Sequence, residues 1–501
     1  MENEISDDCN IYDCELRPPI KIRSSIDPNA KDIPAQPNYA TIPIGILQGT
    51  YPYVYYCSTL AQIYKCPPPS PTNKSVIGVI SLGGGLYGNV DANGILTNGD
   101  CQAYWSSQGI PTSNHPTVVL VNLLGASNNP YFSQFISSVN GINRIMTYGD
   151  ATLENSLDVQ TIGSWYPSSN LTIIVYFSPN TLGQYLTAIQ SSINTYINVR
   201  GVNVKPQTIS VSWGANESNI YSSYTNALNT IYSNAASQGI NICIATGDND
   251  STGKDYTGNN VPSLNVNVLG SSPWCIACGG TTLKSLNNIY DINTSETVWN
   301  DSNTGNDTGT GGGVSVYLTK ATYQANVAKT YTNRCIPDIS LNSDGETGMV
   351  YIVSSLYTIS GGTSTAAPAI AAFIAITGIN YFYNSKLYKL NSNCFHDITV
   401  GNNRPFSYPL LGYDAEVGYD LCTGFGSIIG TTMSTAMNTY VPTSNIQFTN
   451  ILSNFGYFST VKVPFYSTLS NTKWYDSSGN LTIPPTTNIP FSFFKNKMCR
   501  F

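Results

Sequence analysis

Charge is scarce in this 501-residue chain, in which 10% of residues are Asp, Glu, Lys or Arg, against roughly 25% in ordinary soluble proteins. Its 22 Lys and Arg are outnumbered by 29 Asp and Glu, for a net charge of -7. Such a balance offers no clustered cationic surface, which argues against nucleic acid and anionic lipid as partners. Histidine is scarcer still: His115 and His396 are the two in the chain, so imidazole chemistry and histidine-rich metal sites have few places to reside. No apolar run reaches the ~18 residues of a membrane span, and the acidic start MENEISDDCN lacks the positive flank and apolar stretch of a secretory signal. The chain reads as soluble, with no membrane span and no signal peptide evident.

What fills the gap is hydrogen-bonding capacity in Asn, Ser, Thr and Tyr, around an apolar fraction of 41% that can bury a large core. Twelve cysteines are scattered along the chain, compatible with disulfides or with free core thiols. Residues 1–37 carry charges, prolines and two cysteines without apolar period and read as an N-terminal arm. From Val76 the runs VIGVISL, TVVLVNLL, LTIIVYF, TISVSW and NICIATG alternate with amphipathic stretches such as LGQYLTAIQSSINTYI and YSSYTNALNTIYSNAASQG. Apolar runs without alternation suit strands covered on both faces, and the periodicity near 3.6 between them suits crossover helices. The expectation is an α/β fold with a doubly wound parallel sheet and flanking helices, over 38–437, followed by a C-terminal extension at 438–501 rich in Thr, Pro, Phe and Tyr.

Four segments carry chemistry. Gly361-Gly-Thr-Ser364-Thr-Ala-Ala-Pro368 opens the buried helical run AIAAFIAITGI, so Ser364 stands at a helix N-terminus, either as a nucleophile or as a capping residue. Glu154 and Asp158 lie one turn apart on the helix marked by Leu153, Leu157 and Ile162, a pair that needs either solvent or a shared proton. Asp248 follows the apolar run ending Ala245-Thr-Gly247, at the strand end where ligand sites of parallel sheets lie. Cys275-Ile-Ala-Cys278 has the spacing of a redox or zinc motif, but two residues three apart in a strand face opposite ways.

In chain order, Glu-x-x-x-Asp at 154–158, Ser212-Trp-Gly-x-x-Glu217, Thr246-Gly-Asp248 and Gly362-Thr-Ser364-x-x-Ala-Pro368 resemble the sedolisin family of serine-carboxyl peptidases, over roughly residues 45–435. The resemblance implies a subtilisin-like fold and hydrolysis of peptide bonds at acidic pH, in an acidic compartment. It makes Ser364 the nucleophile, Glu154 the general base and acid, Asp158 its proton-sharing partner and Asp248 an oxyanion donor that must be protonated to act. It also makes Ser212, Trp213 and Gly214 the strand that pairs with an extended polypeptide substrate. Finally, it implies one Ca2+ ion held by the carboxylates of Asp397 and Asp420 and the carbonyls of Ile398, Glu416 and Gly418. Glu416 stands where the family usually has glycine, and Ser81 where many members carry Glu. An independent domain of ~100 residues does not fit before residue 45, so either that restraint is lost, or the C-terminal extension or a separate inhibitor or pro-segment in trans supplies it. Two rivals remain: a silent binding or structural protein on the same scaffold, and a histidine-dependent hydrolase using His396.

Overall fold

The computed structural model describes residues 53–439, apart from 140–141, 149, 255–260 and 292, together with Lys21–Ile22, Trp474–Tyr475 and Leu481–Ile483; side chains within 133–150 are likewise outside the description. Two compact units divide at 440/441. Within the second, Trp474–Tyr475 pairs antiparallel with Leu481–Ile483. Most of the arm and of the C-terminal extension read from the sequence lies outside the described residues.

Seven parallel strands form the centre of the first unit: β1 (Ser75–Ser81), β2 (Thr117–Asn122), β3 (Leu171–Phe177), β4 (Thr208–Val211), β5 (Asn241–Ala245), β6 (Ile276–Lys284) and β7 (Ile339–Asn342). They pair in the order β2-β3-β1-β4-β5-β6-β7. Short antiparallel strands complete a sheet of 10, with Ile95–Thr97 beside β2 and Ser295–Val298 beside β6. The sequence expectation of a doubly wound parallel sheet holds, because each apolar run feeds alternate residues to opposite faces. Ile77, Val79, Ile173, Val175, Cys243 and Ala245 pack on one side. Val76, Ile80, Ile174, Ile209, Ile242 and Ile244 pack on the other.

The helices sort by how much of their surface is apolar. Leu182–Asn194 and Ser222–Ser237 bury one stripe each, such as Tyr185, Ile189, Tyr224 and Leu228, against the second face. The first face carries α1 (Asp150–Trp165) and α2 (Thr363–Thr377). Every residue of α2 is buried, and the run of alanines among its isoleucines allows the helix to lie close to the sheet. This central placement carries Ser364, at the N-terminal end of α2, to the carboxyl edge of the strands. Lys21–Ile22 pairs antiparallel with Ser360–Gly361, just before that end.

Candidate active site

The segment of Ser364, the candidate nucleophile, begins at Gly362, whose φ of +108° belongs to a region that side-chain-bearing residues rarely adopt. The chain thereby turns directly from the strand Leu356–Gly361 into α2, with Thr363 and Ser364 as its first residues. Helix α1 lies alongside α2 and presents its acids to it. Ser364 Oγ donates to Glu154 Oε2 at 3.2 Å, and both residues are 0% exposed. Asp158, also fully buried, accepts a hydrogen bond from Ser212 Oγ at 2.7 Å on Oδ1. Glu154 Oε1 and Asp158 Oδ2 have no hydrogen-bond partner among the described residues.

The electrostatics follow from burial. Glu154 is held well above the usual carboxylate range by desolvation, with the nearby charges of Asp158 and Asp248 adding to it and the Ser364 hydroxyl opposing it. Desolvation likewise pushes Asp158 well up, against the Ser212 hydrogen bond. Two such acids together ionise one at a time, so a proton is retained in the pair.

Asp248 enters from the carboxyl end of β5. Its Oδ1 accepts the Thr363 N–H at 2.8 Å and the Thr363 hydroxyl at 2.8 Å, which fixes it at the N-terminus of α2. The glycine-rich loop at 309–313 closes over the same segment. Gly311 N–H donates to the Gly247 carbonyl at 2.8 Å, and a Cβ on Gly311 would stand 2.3 Å from the Thr246 oxygen, so this position must be glycine.

The two histidines are committed elsewhere. His396 stacks on Tyr290 with ring centroids 3.4 Å apart, and burial and the charge of Lys65 push its pKa down to about 4. A ring nitrogen of His115 lies 3.1 Å from the Ile110 carbonyl oxygen, with the imidazole against the edge of Trp105. The carboxylate Glu154, and neither imidazole, is the basic group hydrogen-bonded to Ser364.

Of the three residues read as a substrate strand, Gly214 is partly exposed, while Ser212 and Trp213 are buried. The Trp213 side chain packs in the core of the second sheet face and its indole N–H has no hydrogen-bond partner among the described residues. Sequence reasoning missed the Ser212 contact with Asp158. It also missed Thr363 as the anchor of Asp248, and Glu217, whose buried carboxylate takes Ser315 Oγ and the Val316 N–H at 2.7 Å each. Each lies inside a motif already singled out, Ser212 and Glu217 in Ser-Trp-Gly-x-x-Glu and Thr363 in Gly-Thr-Ser, but nothing local marks the partner it takes.

The calcium candidates converge in part. Asp397 Oδ2 accepts the Gly418 N–H at 2.8 Å, and Asp420 Oδ2 the Glu416 N–H at 3.3 Å, so both carboxylates border the 416–418 turn. The left-handed conformation there falls on Gly418 (φ +88°), and Glu416 needs no glycine-like backbone. Burial raises Asp420 to about 6, a cost that a bound cation would offset. These are hard oxygen donors of the kind calcium takes. No group of three or more His, Cys, Asp or Glu is gathered for a metal among the described residues, so backbone carbonyls must complete any such site. Cys275 and Cys278 pack on opposite sheet faces, and the nine described cysteines are free.

A subtilase family profile matches residues 147–384, a stretch containing Glu154, Asp158, Asp248 and Ser364. Kumamolisin of Bacillus sp. (strain MN-32) is 32% identical over 395 residues, covering 76% of this chain. Sedolisin of Pseudomonas sp. (strain 101) is 30% identical over 353 residues, covering 65% of this chain. The solved structure of Pseudomonas sedolisin, a serine-carboxyl proteinase complexed with two molecules of pseudo-iodotyrostatin, aligns with a TM-score of 0.62 at 24% identity, covering 77% of this chain and 98% of that one. In sequence and fold the chain resembles the sedolisin family. It spans 63% of the length of kumamolisin and 58% of that of sedolisin. The sedolisin fold accounts for the parallel sheet, the buried helix α2 and the position of Ser364 at the strands' carboxyl edge. No helix among the described residues is long and apolar enough to cross a membrane.

Proposed function

We propose that this chain is a serine-carboxyl peptidase that cleaves polypeptides at acidic pH through an acyl-enzyme on Ser364. The observation that carries the reading is the hydrogen bond of 3.2 Å between Ser364 Oγ and Glu154 Oε2 in a fully buried setting. A buried hydroxyl is activated by a base within hydrogen-bond reach, and Glu154 is that base. Ionised Glu154 takes the Ser364 proton as Oγ attacks the scissile carbonyl carbon, and the carbonyl oxygen becomes an oxyanion. Asp248, anchored through Oδ1 by Thr363, lends a proton to that oxyanion in a hydrogen bond, which requires its neutral form. Glu154 then delivers its proton to the leaving amine. Water completes the cycle by the same steps in reverse, with Glu154 as base. Asp158 shares the proton held by the pair, so that the two carboxyl groups together bury a single negative charge.

The partly exposed backbone at Gly214 is suited to pairing with an extended substrate, which gives affinity without a fixed sequence. One Ca2+ ion would be held by Asp397, Asp420 and the carbonyls of Ile398, Glu416 and Gly418, where it would brace the loop. The activity belongs to an acidic compartment.

The test is Ser364→Ala. The purified variant is expected to lose hydrolysis of unfolded protein at pH 4 by at least about 1,000-fold while keeping the parent's melting temperature. Persistent turnover by the pure variant would overturn the assignment.

A further inference from the structure

We infer that Ser212 is a positioning residue for this reaction, its hydroxyl tying the Glu154–Asp158 pair to the backbone of the nucleophile. The inference rests on the reading of Ser364 as nucleophile given above and concerns a side chain that the resemblance assigned to substrate pairing.

Ser212 is the first residue after β4 and is 0% exposed. Its Oγ lies 2.7 Å from Asp158 Oδ1 and 3.4 Å from the carbonyl oxygen of Ser364. The residue four positions after Ser364, which would donate to that carbonyl within α2, is Pro368, and proline has no N–H. Ser212 therefore faces two acceptors, a catalytic carboxylate and the nucleophile's own main chain.

A hydroxyl has one proton to donate and two lone pairs that accept. When Asp158 is ionised, the Ser212 proton points to it over the shorter distance. When Asp158 holds the shared proton, it can donate to Ser212 Oγ, and the Ser212 proton turns to the Ser364 carbonyl. The hydroxyl is satisfied in both states, so proton movement in the pair alters the support of the Ser364 backbone without opening a gap. Ser81 offers no substitute, because its hydroxyl donates to the Gly83 carbonyl at 3.0 Å.

The titratable groups acting on the pair are Asp248 from the end of β5 and Tyr351 from the strand Met349–Val353, and behind Tyr351 stand Cys57 from the helix Cys57–Ile63 and Tyr104 from the helix Asp100–Ser107. Burial pushes Tyr351, Cys57 and Tyr104 upward, so they stay neutral in acid. Against this background the Ser212 hydroxyl favours the ionised form of both Glu154 and Asp158. Its loss makes the base harder to ionise.

The experiment measures kcat and KM separately on a quenched peptide from pH 2.5 to 8, for the full-length parent and for Ser212→Ala, Ser212→Cys and Ser212→Thr. In Ser212→Ala the acid limb of kcat/KM is expected to move up by about one pH unit, the scale of one hydrogen bond to a charged group. At pH 4 kcat falls about tenfold and KM changes little. Ser212→Cys, close in size with a weak donor, shifts the limb the same way by less, and Ser212→Thr keeps the parent's limb. A raised KM with an unmoved limb in Ser212→Ala and Ser212→Cys overturns the inference in favour of a substrate contact, and unchanged kinetics overturns it outright. A parent without acid turnover overturns the peptidase reading and this inference together. An acid-active parent with an unmoved limb overturns this inference alone.

Discussion

Glu154 and Asp158 are removed from water on a helix that also brings them within one turn of each other, and this placement sets their response to pH. An acid whose pKa is higher in the folded than in the unfolded chain binds its proton more tightly in the native state. Its contribution to stability is fully present below the unfolded value, about 4, and is lost as pH rises through the folded value. Both residues are shifted in this direction by desolvation, so together they disfavour folding at neutral pH. The double variant Glu154→Gln/Asp158→Asn, which cannot titrate at these positions, should therefore gain on the parent in melting temperature between pH 4 and pH 7. Asp100, Asp344 and Asp420, each raised to about 6 by burial, remain in both proteins and cancel in the difference. Calorimetry at the two pH values checks this, and a parent that gains on the variant with rising pH would contradict it. At this scale Ser364, Glu154, Asp158 and Asp248 were legible as candidates from motif order, and the structure brings them to one place. Ser212 was legible only as a strand residue, because its partner Asp158 lies 54 positions away and nothing local marks the pairing.

Among the elements, the central strands and the covering helices were readable because burial on both faces leaves continuous apolar runs, as in Leu171–Phe177 and Asn241–Ala245. The antiparallel additions were not, since Asn89–Val90 is exposed and Ser295–Val298 only partly buried, and neither carries a period. Also hidden was the ion pair that ties β6, β7 and the Asn384–Leu387 helix together. Arg334 and Asp338 read as two charges four apart, yet both are fully buried, with Nη1–Oδ1 at 2.8 Å and Nη2–Oδ2 at 2.6 Å. Asp338 Oδ2 also accepts the Ala277 N–H at 2.7 Å and Asn384 Nδ2 at 3.1 Å, and Tyr388 donates to Oδ1. Removing one partner leaves the other charge buried and alone, so Asp338→Ala should cost about 3–5 kcal/mol. Urea unfolding measures it. A loss below about 1 kcal/mol would mean that Arg334 reaches water or another acceptor.

For the molecule as a whole, scarcity of charge suits work in acid. Protonating the carboxylates leaves at most the 22 Lys and Arg and 2 His charged across 501 residues, which limits the self-repulsion that unfolds many proteins at low pH. The proposed chemistry also requires acid, since Glu154 must be ionised while Asp248 is neutral, a combination found only where the carboxyl groups of the site are partly titrated. The most direct test is kcat/KM on a quenched peptide from pH 2.5 to 8 for the parent and Glu154→Gln. The account predicts a maximum between about pH 3 and 5.5, little turnover at pH 7, and a loss of at least about 100-fold in Glu154→Gln at every pH. An optimum near neutrality, or near-parental rates in Glu154→Gln, would contradict it.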